Sequence, residues 1–349
     1  MKRIVFATVL ACAAMGASAD VTVYGRVDTG LLWDNTEGSD TVTMESGIAG
    51  ASRWGFKGSE KISENLTVGF QLESQFASDN GFSNATLFNR DSYLYVNTQY
   101  GNFRFGRSGA LGGGVSGGMF AGKVSPFGVV YKGAASTMIH DVQTRLDNMV
   151  RYDLPKFGGL QLAVQYARGD DSVPESQTVR YAAVGADYKV GDLSLIAVVD
   201  KEMKKSNTNG VKDMVSYKVG LQYKANPVTF YAGYQYIDNA DQVGKAESVD
   251  ATGKVGTIKL VNGEANSLTL GTRVAVGGGN LNMALGYASG EDAIKEVTLT
   301  QAAIGYTYNL SKRTTLYAAA AYLDHELTEG DVETSRKTKQ VMAGLYHAF

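Results

Sequence analysis

Apolar and polar side chains alternate with a period of two along nearly the whole chain, and a helical period is nowhere sustained. In Val21-Thr22-Val23-Tyr24-Gly25-Arg26-Val27-Asp28 one parity is apolar or glycine and the other is polar. Leu66-Thr67-Val68-Gly69-Phe70-Gln71-Leu72-Glu73 and Leu160-Gln161-Leu162-Ala163-Val164-Gln165-Tyr166 repeat the pattern. Strands with one oily and one wet face build either a soluble sandwich or a barrel with lipid outside and water inside. The connections separate the two. Sixteen strand segments are predicted, near 20–33, 52–58, 66–76, 87–97, 102–107, 147–154, 159–168, 178–189, 192–200, 212–224, 227–237, 266–276, 280–289, 297–308, 314–324 and 339–349. Short turns such as Lys189-Val190-Gly191-Asp192 and Val276-Gly277-Gly278-Gly279-Asn280 alternate with long polar stretches at 34–50, 200–212, 238–264 and 324–338. An all-β, antiparallel transmembrane barrel with short periplasmic turns and long extracellular loops sorts its connections this way, and a sandwich has no reason to.

Composition agrees. Few prolines (4) with many glycines (42) and tyrosines (20) suit twisted strands and tight turns. No stretch after the first residues reaches 18 apolar residues, which excludes a helical membrane protein. A formal charge of -2 gives no basic footprint for a nucleic acid. Residues 1–19 read as a secretory signal: Lys2 and Arg3, an apolar run from Ile4 to Met15, and a small-residue site at Ala17-Ser18-Ala19. Its removal takes the single cysteine, Cys12, so the exported chain would hold no disulfide. A lipoprotein signal ending at Cys12 is the weaker reading, because its apolar core would be short. Tyr and Phe at many strand ends, Tyr93, Tyr95, Tyr188, Tyr223, Phe230 and Tyr308 among them, suit aromatic girdles at the headgroups. Phe349 ends the last strand flush, with Leu345 and Val341 on its parity, as closure against the first strand requires.

Several stretches together resemble the general, non-specific Gram-negative porins of the beta-proteobacterial type. They are Val21 to Asp28, Ser52-Arg53-Trp54-Gly55-Phe56-Lys57-Gly58-Ser59-Glu60, Phe70-Gln71-Leu72-Glu73, Phe88-Asn89-Arg90, Phe105-Gly106-Arg107, Asp147-Asn148-Met149-Val150-Arg151-Tyr152, Pro155-Lys156-Phe157-Gly158-Gly159 and Leu345-Tyr346-His347-Ala348-Phe349. They span residues 20–349 in the family's order. The resemblance implies a sixteen-stranded barrel in the Gram-negative outer membrane, a homotrimer, and a third extracellular loop folded into the lumen. It also implies that Leu345, His347 and Phe349 serve as a signal to the barrel assembly machinery, with Ala348 standing where relatives often carry a basic residue. The connection at 108–146 fits the implied constriction, being glycine-rich and the longest of the connections.

If the apolar parity meets lipid, the other parity lines the lumen. That assigns Arg26, Asp28, Arg53, Lys57, Glu73, Arg104 and Arg151 to the pore wall, and Lys123, Lys132, Asp141 and Asp147 to the loop. Arg107 is one parity off and needs a bulge or the loop base to reach the lumen, as the resemblance implies. Clustered cations on the early strands would set a field favouring anions, although each arginine alone is equally explained by pairing with a carboxylate. Sharper motifs lack their context. Gly114-Val115-Ser116-Gly117-Gly118 has no strand-turn-helix around it, and Gly112-x-Gly114-x-x-Gly117 has no βαβ unit. His140-Asp141 and Asp324-His325-Glu326 each offer a lone histidine, so no metal and no cofactor is expected. Asp170-Asp171 and the acidic residues at 238–241 offer at most a cation bridge to lipopolysaccharide.

The sequence therefore predicts a passive diffusion channel for ions and small hydrophilic solutes. A solute-specific channel, an outer-membrane enzyme, and a plugged barrel serving as adhesin or structural protein are the alternatives.

Overall fold

The computed structural model describes residues 20–83, 86–128, 131–139, 144–169, 180–204, 210–244, 247–249 and 255–349. Its strands are β1 (Asp20–Thr36), β2 (Ser39–Ser46), β3 (Arg53–Ser63), β4 (Leu66–Gln75), β5 (Asp91–Thr98), β6 (Gly101–Gly109), β7 (Arg145–Asp153), β8 (Leu160–Ala167), β9 (Arg180–Val190) and β10 (Leu193–Met203). They continue with β11 (Met214–Ala225), β12 (Val228–Ala240), β13 (Glu247–Val249), β14 (Val255–Thr257), β15 (Gly263–Val276), β16 (Gly279–Glu291), β17 (Lys295–Asn309), β18 (Thr314–Glu329) and β19 (Val332–Ala348). Apart from the β13–β14 hairpin, all pair antiparallel with their neighbours in one sheet, and β1 closes on β19 from Arg26↔Ala348 to Thr36↔Thr338. The seam ends with Gly25 and Phe349 exchanging backbone hydrogen bonds of 3.0 and 3.1 Å. β2 and β3 lie end to end against β1, so the barrel has sixteen staves.

The wall breaks at 47–52, between β2 and β3. Gly47 takes φ +72°, and the segment turns into the lumen, where the Ala49 N–H donates to Asp28 Oδ2 at 3.1 Å. Two predicted loops are largely strand: 34–50 and 324–338 form tight hairpins at Thr36–Ser39 and Glu329–Val332. The cause is visible locally, since Val42 and Met44 alternate with Thr41 and Thr43 and remain exposed on the outer face. Outward Tyr188, Tyr223, Phe230 and Tyr308 lie near the short turns at the positions a girdle needs, whereas Tyr93 and Tyr95 share Gln71's inward face.

The apolar core lies inside the barrel. The third long loop, L3 (110–144), enters the lumen and buries Leu111, Met119, Phe120 and Val124 against Ala163, Ile196 and Val198. Its second arm buries Phe127, Tyr131, Ala135 and Met138 against Leu299, Ala303, Tyr317, Leu323 and Met342. The simple rule that the inward parity meets water thus fails from β8 to β19: a chain segment, not solvent, covers that wall.

Candidate functional site

What L3 leaves open faces the early strands. On β1, Arg26 and Asp28 point inward and pair at 2.9 Å. Asp28 is fully buried, accepting also from the Tyr317 hydroxyl at 2.6 Å, while the Arg26 guanidinium lies 3.7 Å from the Tyr346 ring centroid. On β3, Arg53 reaches Glu73 at 3.3 Å, and Arg90 reaches the same carboxylate at 2.5 Å. One buried carboxylate therefore orders two guanidiniums and the Tyr24 hydroxyl at 3.1 Å. Lys57 extends over Tyr24 at 5.2 Å and stays exposed. Arg104 lies 4.7 Å from the Tyr93 ring, and Arg151 holds Asp153 through two nitrogens. The charged side chains along this wall include seven cations (Arg26, Arg53, Lys57, Arg90, Arg104, Arg145, Arg151) and five carboxylates (Asp28, Asp34, Glu73, Asp91, Asp153).

Arg107 and Asp147 take the opposite side. Arg107 is in register with Ser92, one step from the exposed, lipid-side pair Leu94↔Phe105. The register shift beside Gly106 and Ser108 places its extra residue on β7, between Leu146 and Met149, so β6 alternates unbroken: Arg104, Gly106 and Ser108 face inward and Arg107 outward. There Arg107 pairs with Asp147 at 2.6 Å and donates to the Asn89 carbonyl at 2.9 Å. The lumenal expectation for this pair is corrected by that register. Lys123 and Lys132 belong to L3 and are matched by wall carboxylates, Asp187 at 2.6 Å and Glu45 at 2.5 Å. Asp141, with His140 and Asp170-Asp171, lies outside the described residues. Leu345 and His347 sit on the outward parity of β19, opposite Thr29 and Val27.

Side chains that the parity argument passed over position L3. Long polar groups from five strands bind its backbone, among them Arg104 to Ser116 O (3.1 Å), Arg151 to Gly117 O (2.7 Å) and Arg273 to Pro126 O (2.7 Å), while Gln165 holds the last residue before the loop through Gly109 O (3.0 Å). Gln301 donates to the carbonyls of Ala134 and Ser136, and Gln340 accepts from the Ala134 N–H at 2.7 Å. A buried ion pair, Lys218 with Asp200, sits directly beneath Gly112, where a Cβ would lie 2.0 Å from the carboxylate and 2.5 Å from the ammonium. Only glycine permits that approach. Parity alone would have placed Lys218 and Arg273 inward; which of them meet water is decided by the loop. Each neutral tether contributes about 1 kcal/mol, but a buried carbonyl left unpaired costs about 1–3 kcal/mol, so the set fixes the loop's course.

The arrangement can hold a permanent aqueous slot between a rigid loop and a wall of net positive charge. Among the described residues no serine, histidine and acid converge: Ser116 meets Asp91 through its side chain and Arg104 through its carbonyl, and strand alternation puts buried His325 on the face opposite Asp324 and Glu326. Among the described residues no His, Cys, Asp and Glu gather as a metal site.

Comparison with known proteins gives the same picture. The profile of the Gram-negative porin family matches residues 7–327. An outer membrane porin protein of Bordetella pertussis is 28% identical over the full length of both chains, and outer membrane porin protein 32 of Delftia acidovorans is 28% identical, again over both full lengths. Among solved structures, the anion-selective porin from Comamonas acidovorans superposes with a TM-score of 0.73 at 23% identity, covering 95% of this chain and 100% of that one. OmpT of Vibrio cholerae superposes with a TM-score of 0.67 at 17% identity, covering 95% and 98%.

Proposed function

This chain belongs to the Gram-negative porin family and is an outer-membrane porin, and we propose that three copies assemble into a passive channel whose slots prefer small anions. The observation that carries the preference is the wall from β1 to β7, where the arginines and Lys57 outnumber the carboxylates beside them, while the cations of L3 are matched one for one by Asp187 and Glu45. Fixed charges at a narrow, low-dielectric passage raise the local concentration of counter-ions and set selectivity. A loop whose described arms are bonded to the wall supports size selection without gating motion. The solved relative named as anion-selective is consistent with this reading.

Within it, Arg26, Arg53, Lys57 and Arg104 are the residues that solutes meet, and Asp28, Glu73, Arg90 and Arg151 hold them and the loop in place. Residues 1–19 direct export and are removed. Leu345, His347 and Phe349 present the closing strand to the barrel assembly machinery, and the outer face meets lipid and lipopolysaccharide. Porins are channels rather than enzymes, and the channel turns nothing over and takes no cofactor.

The test is the reversal potential of the purified protein in a planar bilayer across a KCl gradient. Its sign should report chloride preference, and Arg53→Gln with Arg104→Gln should move it toward zero. Cation preference in the unaltered protein would end the proposal.

A further inference from the structure

The connection between β12 and β15, here L6, enters the barrel as well. Val243 is fully buried, and Ile258 and Leu260 are 4% exposed, although all three lie in a polar stretch predicted to be external. Val243 packs on the lumenal face of β15 and β16: a Cβ on Gly290 would meet its Cγ2 at 2.5 Å and the Ala265 Cβ at 3.1 Å. Leu260 approaches Gly263 in the same way, its Cδ1 2.9 Å from where a Cβ would lie. Gly244 reaches L3 itself, its Cβ position 3.3 Å from the Met138 carbonyl oxygen and 3.7 Å from the Ala288 Cβ. The fold of L6 is closed by the Leu260 N–H donating to Asp241 O at 2.9 Å. L6 is tied to the neighbouring connection between β10 and β11: Lys204 binds Glu202 on β10 and Asp241 at 3.7 Å, and Asn262 accepts from the Lys212 N–H at 2.7 Å and donates to Gly210 O at 2.9 Å.

We propose that L6 is a second fixed constriction, in series with L3, which solutes pass first and which clamps the Met138 arm of L3 from above. Its apolar anchors fill lumen that would otherwise be water, so they limit solute size at the outer mouth. The inference deepens the channel reading and rests on it. It also accounts for the glycine and alanine run along the inward faces of β15 and β16 (Ala265, Ala284, Gly286, Ala288, Gly290), since larger side chains there would occupy the seat of L6 and Met138.

Two variants test it. Val243→Asp with Leu260→Asp makes burial of the anchors unfavourable. In folded protein it should raise single-channel conductance and admit larger neutral polyethylene glycols than the unaltered channel does. Gly244→Cys with Ala288→Cys places two Cβ atoms about 3.7 Å apart, near the disulfide mean of about 3.8 Å. Oxidation should crosslink the pair and leave conductance unchanged, because L6 is already seated. Unchanged conductance and polymer cut-off in the folded aspartate variant would overturn the proposal. So would a fall in conductance when the cysteines crosslink. A silent unaltered protein would instead refute the channel reading alone.

Discussion

The Lys218 and Asp200 pair offers the sharpest quantitative test of how L3 is held. Both side chains are 1% exposed, and Asp200 Oδ1 already lacks a hydrogen-bond partner. In Lys218→Met the carboxylate would lose its cation with no water to replace it. Removing one member of a buried pair costs about 3–5 kcal/mol, because an uncompensated charge is left behind. That is about two to three and a half decades in the folding equilibrium. Replacing both, as in Asp200→Leu with Lys218→Met, removes the charge problem and should restore most of the loss. Gly112 rests on the pair, so the single variant should also show noisier open-channel current from an unseated L3. The assay is urea unfolding of protein folded into lipid vesicles, followed by the fluorescence of Trp33 and Trp54, beside bilayer recordings. The reasoning is refuted if Lys218→Met unfolds at the urea concentration of the unaltered protein, or if the double variant is no more stable than the single.

Gln301→Leu leaves the carbonyls of Ala134 and Ser136 buried without their donor, and should cost about 1–3 kcal/mol for each group left unpaired in the same unfolding assay. Asp292, in the connection between β16 and β17, gives a pH prediction. Desolvation opposes its ionisation, but the N–H groups of Ile294, Val261 and Lys295 outweigh it and hold the carboxyl below its ordinary range. A depressed folded pKa means the contribution is complete above the unfolded value of about 3.9 and is lost as pH falls through the folded pKa. Hydrogen-exchange protection of the Val261 amide, corrected for intrinsic rate, should therefore drop on acidification below about pH 4, a drop that Asp292→Asn abolishes.

The barrel was legible because period-two alternation is a local property. Each strand announces its two faces without reference to its neighbours, and Val27 and Leu31 point outward while Arg26 and Asp28 point inward as their parity says. Arg107 could have reached the lumen only through a bulge on its own strand; the extra residue lies instead on β7, between Leu146 and Met149, so β6 keeps its alternation and Arg107 stays outside. β2 read as loop because Ser, Asp, Thr and Glu outnumber its two apolar residues, although those two do alternate. L6 was invisible since Val243, Ile258 and Leu260 are single apolar residues in polar surroundings, and their burial depends on the glycines and alanines of β15 and β16. The cover that L3 lays on the wall did leave a hint: Leu195, Ile196, Val198 and Val199 on β10 are apolar on both parities, as strands covered on both faces are. The missed Asp200, Lys218 and Arg273 lie on the inward parity, and what they touch depends on the path of L3.

The most direct test of the central claim is single-channel conductance of the purified, folded protein in a planar bilayer. The account predicts large, long-lived open steps that close in groups of three, as three aqueous slots of fixed width require. Folded protein that inserts and stays silent would contradict an open lumen between L3 and the β1 to β7 wall.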